Sequence, residues 1–186
     1  MIVTVNFTSH ERMIEALLFL PEKSVEHQTT ALLFEGSVTG VTNQITEYIA
    51  DQVSSQGFVC LVMDHAFYGS TETVINAIMP PERRIEDLIA AMNFLKIHKA
   101  VDPEKIIGVG VSLGAHFMVE ACRKTTLCKG LVIVRGPLDE TPENLESLPV
   151  PHILIDESSL DSAADEITLW SRTLFNQRPA ERDAEM

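Results

Sequence analysis

The stretch Ile106–Met118 reads IIGVGVSLGAHFM, and the fold of the whole chain is inferred outward from it. It begins as an apolar run typical of a buried strand and ends in a pattern typical of a helix. Between the two, residues 110–114 match G-x-S-x-G, the nucleophile elbow, with Ser112 at its centre. The motif is short, but here it has the strand before it and the helix after it that an elbow requires.

An elbow would place Ser112 in a strained backbone conformation at a tight turn. Gly110 and Gly114 are then expected to be brought against each other, so that neither position tolerates a side chain. The turn would lift the Ser112 hydroxyl clear of the sheet. It would also leave the Leu113 N–H at a helix N-terminus, aimed at developing negative charge. The alternative is a glycine-rich strand-to-helix turn whose serine has no chemical role.

The composition is that of a globular protein, and its net charge argues against some classes of binding partner. Of the 186 residues 45% are hydrophobic and 22% are charged, and the net charge is −13. So acidic a chain is a poor partner for nucleic acid or for an anionic membrane surface. No apolar run approaches the length of a membrane span, and the first residues lack the pattern of a signal peptide. We therefore expect a cytoplasmic protein.

The three cysteines, Cys60, Cys122 and Cys128, are odd in number and lie mostly among apolar residues. They are expected to be reduced thiols that serve as small core residues in a cytoplasmic setting. Cys122 and Cys128 have no partners at the spacing of metal ligands, and no glycine loop of the phosphate-binding kind is found. The sequence therefore predicts neither a metal nor an organic cofactor.

Short apolar strands alternate with amphipathic helices along the chain. Strands are predicted at 2–7, 12–20, 30–34, 58–63, 131–134 and 152–155, besides the elbow strand, which a turn at Asp102-Pro103 precedes. Helices are predicted at 42–56, from Pro81 onward, from the elbow to about 124, and at 162–175. In the helix that begins at Pro81, the polar face is predicted to carry Arg83, Arg84, Glu86 and Asp87.

This alternation predicts an α/β fold, in which a mostly parallel sheet is covered by helices on both faces. We expect a single domain over residues 1–176 and a polar tail at 177–186. The site of such a sheet lies at the carboxyl ends of its strands. Segments 35–37 and 64–66 and the elbow all end on that edge, and the loops 70–80 and 139–149 are expected to roof the pocket.

Three further segments give the chain a resemblance to the α/β-hydrolases, closest to their dienelactone hydrolase-like branch. They are FEGS at 34–37, GFVCLVMD at 57–64 and VDPEKI at 101–106. The resemblance covers roughly residues 12–175 and implies a three-layer sandwich with Ser112 as nucleophile. It implies oxyanion donors at the backbone N–H groups of Leu113 and Ser37. Glu35 stands where many relatives have a His-Gly pair, and Glu35, Gly36 and Asp64 are expected to line the pocket.

The acid and base of the triad are harder to place. In the family the acid follows the strand near 151–155, which favours Asp161 and, as a second candidate, Asp156. Asp161 has an equally good alternative as the N-cap of the last helix. The family's histidine follows an eighth strand, C-terminal to the acid, and neither that strand nor a histidine occurs after residue 175. The chain thus resembles a C-terminally shortened α/β-hydrolase.

Two other side chains are candidates to replace the absent histidine. His65 ends a strand at the carboxyl edge beside the elbow strand and is the best placed of the histidines, and the alternative is a loop histidine bonded to backbone. Glu35 stands at the expected site mouth, where it is either an acid or base or a solvated loop residue. His116 is expected to pack along its helix flank. The remaining histidines are expected away from the nucleophile, at His10, His27, His98 and His152.

The residues leave three hypotheses for function. The first is an acyl hydrolase acting on a small ester or thioester through Ser112, with His65 or Glu35 assisting. The second is a non-catalytic protein that uses the hydrolase fold to bind a small acyl or carbonyl ligand or a protein partner. Without an eighth strand the edge of the seventh is bare, which predicts a homodimer through that edge. The third is that the chain is a shortened version of a longer enzyme.

Overall fold

The structure is a computed structural model of the chain. It describes residues 1–21, 28–36, 40–63, 80–156 and 159–176, and of residues 40–43 only the backbone. Seven strands form one sheet in these segments: β1 (Ile2–Ser9), β2 (Arg12–Phe19), β3 (Thr29–Glu35), β4 (Val59–Met63), β5 (Val101–Val111), β6 (Gly130–Arg135) and β7 (His152–Asp156). The helices are α1 (Gly40–Ser55), α2 (Pro81–Ile97), α3 (Gly114–Lys124) and α4 (Leu160–Asn176).

The strand order is β1-β2-β4-β3-β5-β6-β7. All pairs from β4 to β7 are parallel, whereas β2 runs antiparallel to β1 and to β4. β3, β4, β6 and the part of β5 from Ile106 onward are buried over nearly their whole lengths because helices cover both faces, which is why they read as continuous apolar runs. The predicted three-layer α/β sandwich is confirmed.

Two apolar cores lie on opposite faces of the sheet. One packs α2 and α3 against side chains such as Leu33, Leu61 and Ile106. The other packs α1 and α4 against their neighbours in the same strands, Leu32, Cys60 and Ile107. The split arises from the strand geometry, in which successive side chains point to opposite faces. No described helix is both long and apolar enough to cross a membrane.

Two details of the predicted elements are wrong. Asp102 and Pro103 lie inside β5 rather than in a turn before it, and the register between β3 and β5 shifts between Thr29 and Ala31. The expected polar face of α2 is not wholly solvated, because Arg84 and Asp87 are buried. Asp87 accepts two hydrogen bonds from Arg12 of β2, at 3.1 and 3.0 Å, which offset the cost of burying its charge.

The cysteines are core residues, as expected, but two of them are not free thiols. A disulfide joins Cys122 at the end of α3 to Cys128 just before β6. Cys60 is free and buried in β4, and burial raises the pKa of its thiol well above the ordinary value. The prediction of three reduced thiols is therefore wrong for Cys122 and Cys128, while the cytoplasmic location stays a prediction.

Candidate active site at the carboxyl edge of the sheet

Ser112 lies between the end of β5 and the start of α3, with the backbone of a strained turn. Its φ is 53°, in the left-handed region that non-glycine residues rarely adopt. Two backbone hydrogen bonds hold this conformation. The Ser112 N–H donates to the Val134 carbonyl of β6 at 2.8 Å, and the Ser112 carbonyl accepts from the Ala115 N–H at 3.0 Å. The chain therefore turns sharply at the serine, as an elbow requires.

The two glycines of the motif are needed for close contacts with neighbouring backbone. A Cβ on Gly110 would lie 2.4 Å from the Cα of Ala115, and a Cβ on Gly114 would lie 2.2 Å from the Glu35 carbonyl oxygen. Neither position tolerates a side chain, as expected, and the nearest atoms that exclude one belong to Ala115 for Gly110 and to Glu35 for Gly114. Gly110 lets α3 approach β5, and Gly114 lets α3 approach the end of β3.

The side chain that meets the serine is Asp139, in the loop after β6. The Ser112 Oγ donates to Asp139 Oδ1 at 3.0 Å, and both residues are only partly buried. The second carboxylate oxygen, Oδ2, accepts from the Gly136 N–H at 2.7 Å. One carboxylate oxygen thus accepts a hydrogen bond from the backbone at the end of β6, and the other accepts a hydrogen bond from the serine hydroxyl.

Two arginines, Arg123 and Arg135, donate hydrogen bonds to the loop that carries Asp139. Arg135, the last residue of β6, donates from Nε to Asp156 at 2.7 Å and from Nη1 to the Thr141 hydroxyl at 2.5 Å. Arg123 of α3 donates to the carbonyls of Glu143 and Asn144 at 3.1 and 2.7 Å. Asp156, the second candidate for the acid, is therefore ion-paired at the end of β7. It contacts Arg135, the same side chain that bonds Thr141 in the loop.

Asp161, the first candidate for the acid, contacts a side chain other than Ser112. It belongs to the first turn of α4, where its Oδ1 accepts from the Tyr48 hydroxyl of α1 at 2.6 Å. It is not the N-cap either, because Ser159 fills that place by accepting from the Ser162 N–H through Oγ at 3.1 Å. The structure brings Asp161 to Tyr48 and Asp139 to Ser112.

The contact between Tyr48 and Asp161 gives a test of this placement. The hydrogen bond to Asp161 and its negative charge raise the pKa of Tyr48 above its ordinary value of 10.0. The variant Asp161→Asn removes the charge, so the pKa of Tyr48 is expected to fall toward the ordinary value. Absorbance of the phenolate against pH measures it, with Tyr48→Phe assigning the signal. A loss of Ser112 reactivity in Asp161→Asn would contradict the placement.

Glu35 is at the end of β3, beneath the elbow, and is not a solvated loop residue. Its side chain is 0% exposed and forms an ion pair with Arg84 of α2, which is itself 3% exposed. Arg84 also donates to the Gly36 carbonyl at 3.0 Å, and its guanidinium lies 4.1 Å from the ring centre of Phe117 in α3. The pair joins β3, α2 and α3, so Glu35 is buried and ion-paired, and its predicted role as an acid or base stays a prediction.

The remaining predicted site residues divide between described and undescribed segments. Leu113 is half exposed and precedes the first turn of α3, and no described residue accepts its N–H. Ser37, Asp64 and His65 lie outside the described residues, so their predicted roles stay predictions. Within the described segments no histidine hydrogen-bonds to Ser112. His152 begins β7 at the amino edge, and His10 pairs with Glu86 at 3.0 Å.

Asp139 is the residue that sequence reasoning missed. It lies in an acidic loop that the sequence predicts only as a roof of the pocket. The signal that could have found it is its position, four residues after the end of β6 at Arg135, because β6 is the direct neighbour of the elbow strand. Among the described residues, no group of three or more histidine, cysteine, aspartate and glutamate side chains is placed to hold a metal ion.

Comparisons with known proteins agree with this architecture. No family model matches the sequence. Dienelactone hydrolase from Anabaena variabilis superposes on the chain with a TM-score of 0.63 and 16% identity, over 91% of this chain and 96% of that one. The chain has the α/β-hydrolase fold. At this identity the likeness shows the fold and leaves the chemistry open.

Two curated relatives resemble parts of this α/β-hydrolase-fold chain. The quorum-quenching protein AidA of Acinetobacter baumannii is 23% identical over 124 residues, which are 66% of this chain and 40% of that protein. The thiohydrolase AneE of Aspergillus aculeatus is 30% identical over 120 residues, which are 64% of this chain and 37% of that protein. The chain thus spans less than half the length of these relatives.

Proposed function

We propose that this protein is an acyl hydrolase in which Ser112 is the nucleophile and Asp139 its proton acceptor. The observation that carries the proposal is the 3.0 Å hydrogen bond from the Ser112 hydroxyl to the Asp139 carboxylate, made at a strained turn ahead of a helix N-terminus. A serine hydroxyl is a weak nucleophile until a positioned group takes its proton. Asp139 is the group that is positioned to do so.

The reaction would proceed through a covalent acyl-serine. Ser112 Oγ attacks the carbonyl carbon of the substrate and its proton passes to Asp139. The carbonyl oxygen becomes an oxyanion, which the Leu113 N–H and the N-terminus of α3 stabilise. Collapse of this intermediate breaks the bond to the leaving group, which takes up the proton held by Asp139 as it departs, so that the carboxylate can accept a proton again. Water then attacks the acyl-serine in the same way, releases the carboxylic acid and restores the Ser112 hydroxyl.

A carboxylate base favours substrates with good leaving groups. Carboxylates are in general weaker bases than imidazoles, since the reference pKa is about 3.9 for aspartic acid and about 6.5 for histidine. A thiol has a reference pKa of about 8.5, so a thiolate leaves without the full protonation that an alkoxide needs. We therefore propose a thioester or an activated ester as the substrate class. The resemblance to a relative named as a thiohydrolase supports this choice.

The test is covalent labelling with a fluorophosphonate, read by the mass of the intact protein. The expected result is one label on each wild-type chain and none on Ser112→Ala, because the probe needs an activated serine. The matched control is Ser147→Ala, which removes an exposed hydroxyl from the same loop as Asp139 and is expected to label fully. A wild-type protein that takes no label, or a Ser112→Ala variant that still does, would refute the proposal.

A second candidate function is that of a non-catalytic binding protein that pairs with another chain through its sheet. Two observations favour it: no described histidine reaches Ser112, and β7 has no strand on its far side among the described residues. Leu131 of β6 donates to the Pro151 carbonyl at 3.0 Å, so the backbone groups of Leu154 face away from β6. An exposed row of such groups is a template for another strand.

This second candidate predicts a homodimer that forms through β7. Sedimentation at increasing protein concentration is expected to show a dimer for the wild type and a monomer for Leu154→Pro, because proline removes an outward N–H without breaking the pairing with β6. The control is Leu154→Ala, which keeps that N–H and is expected to dimerise. A wild-type protein that stays monomeric at high concentration would contradict the prediction.

A further inference from the structure

A cavity opens at the amino edge of the sheet, on the opposite side of the fold from Ser112. Its volume is about 260 Å³. It lies where β3 begins, just before β4, and beside the last turns of α4. It shares no lining residue with the Ser112 site, so a ligand bound in it is independent of the acyl-hydrolase proposal.

Two cationic side chains line this cavity. Arg172 of α4 donates from Nη2 to the Gln56 carbonyl at 2.8 Å, and its guanidinium lies 5.7 Å from the ring centre of Phe58. These two contacts hold the guanidinium beside Gln56 and Phe58 and use only one of its nitrogen atoms as a donor. Lys105 of β5 lies 3.2 Å from Asp102 and is partly exposed on the cavity wall.

Ser171, a buried residue whose hydroxyl has no partner among the described residues, is one of the residues that line the same cavity. Ser171 is 1% exposed, and its Oγ has no hydrogen-bond partner among the described residues. A buried polar group with no partner in the protein costs free energy, so such a group often marks a place where a ligand or an ion binds. The hydroxyl of Thr29 is already used, since it donates to the Gly57 carbonyl at 3.0 Å.

The charged side chains that line the cavity are cationic although the protein is acidic, and one of them, Lys105, is paired with Asp102 outside the lining. The chain as a whole carries −13, yet no aspartate or glutamate is among the described residues that line the cavity. Phe58 and Phe175 add apolar walls beside the two cations. An acidic protein repels anions in general, so a pocket that attracts one must do so through its own side chains.

We propose that this cavity binds a small organic oxyanion, a carboxylate or a phosphate monoester with a short apolar body. Arg172 and Lys105 hold the charged oxygens, Ser171 donates its hydroxyl to one of them, and the two phenylalanines contact the apolar part. Arginine suits the role because its planar N–H groups match the oxygens of carboxylate and phosphate. The volume limits the ligand to a few carbon atoms beside the anionic group.

The test monitors backbone amides of the ¹⁵N-labelled protein while a probe is added at constant ionic strength. Butyrate and inorganic phosphate are the two probes, and butyramide, which has the shape of butyrate without its charge, is the control. The expected result is saturable shifts at the amides of Gly57, Phe58 and Ser171 with at least one anion and none with butyramide. The tighter of the two anions identifies the ligand class.

Variants separate the site from general charge attraction. Ser171→Ala and Lys105→Gln are each expected to weaken binding about tenfold, because the first removes a hydrogen bond to a charged group and the second removes a cation that faces it. Ser171→Ala is also expected to raise the melting temperature of the ligand-free protein. The matched control is Thr168→Val on the same helix, whose buried hydroxyl is likewise without a partner among the described residues but does not line the cavity. It is expected to bind as the wild type does.

Three results would overturn the proposal. The first is the absence of saturable shifts at these amides with both anions at millimolar concentration. The second is an equal response to butyramide, which would show that charge plays no part. The third is unchanged affinity in both Ser171→Ala and Lys105→Gln. Shifts confined to residues 112–115 would place anion binding at the elbow and would refute the amino-edge cavity as the site.

Discussion

Replacing Asp139 by asparagine is expected to slow the acylation of Ser112 by a factor of about a hundred or more, the range of general base catalysis. The amide keeps an oxygen that can accept the hydrogen bond from the Gly136 N–H. In the wild type this bond joins the Gly136 nitrogen to Asp139 Oδ2 at 2.7 Å and holds the loop in place. The amide cannot accept the proton of the Ser112 hydroxyl as a base. The measurement is the rate of fluorophosphonate labelling, together with the rate of hydrolysis of a simple thioester.

The matched control for Asp139→Asn is Glu140→Gln. Glu140 is the next residue, is exposed, and loses the same unit of charge when it becomes glutamine. The labelling rate of this variant is expected to lie within a factor of about two of the wild-type rate, because water and salt screen an exposed charge. Equal labelling rates for Asp139→Asn and the wild type would show that another group takes the serine proton, and His65 would be the first to test.

Replacing Arg84 by methionine is expected to lower the free energy of unfolding by about 3–5 kcal/mol, the cost of removing one partner from a buried ion pair. Glu35 is 0% exposed, so its charge cannot be hydrated without opening the contact between β3 and α2. The change also removes the hydrogen bond to the Gly36 carbonyl and the contact with Phe117. Urea unfolding followed by circular dichroism measures the loss.

Two further variants separate the ion pair from simple loss of packing. The double variant Arg84→Met, Glu35→Leu is expected to recover most of the lost stability, because apolar residues of similar size often replace a buried pair at little cost. Arg83→Met, on the exposed side of the same turn, is expected to change stability by less than about 0.5 kcal/mol. A double variant as unstable as Arg84→Met would mean that the charge of Glu35 is not the cause.

The order and type of the described elements could be predicted from the sequence because each depends on local pattern. β3, β4 and β6 read as unbroken apolar runs, since helices cover both sides of a parallel sheet. Proline at the start of α2 and glycine after α1 mark helix boundaries for reasons of backbone geometry alone. The extension of β5 back to Val101 is not predicted, because Asp102 and Pro103 are typical of turns.

The site could be predicted only in part. The motif locates Ser112 because its strained turn depends on residues within two positions of it. Asp139 is 27 residues away, and its contact with the serine depends on how the loop after β6 folds back over the sheet. The loop is held by Arg123 and Arg135, which the sequence pattern does not distinguish from any surface arginine.

The burial of charged residues in the core likewise could not be predicted from the hydrophobic pattern of the sequence. Arg84 and Asp87 stand among polar neighbours in α2, so the sequence places all of them on the solvated face. The structure buries these two because each finds an opposite charge on a strand, Glu35 for Arg84 and Arg12 for Asp87. Burial of a charge depends on a partner, and the partner is a tertiary contact.

The amino-acid sequence by itself determined the layered α/β architecture and the sharp turn at Ser112, because hydrophobic periodicity and glycine spacing act over a few residues. The tertiary structure alone decided which carboxylate meets the serine hydroxyl, where Glu35 lies, and which hydroxyls and cations line the cavity at the amino edge. These contacts join residues from different strands and helices. Their energies depend on desolvation and distance, which exist only once the sheet has assembled.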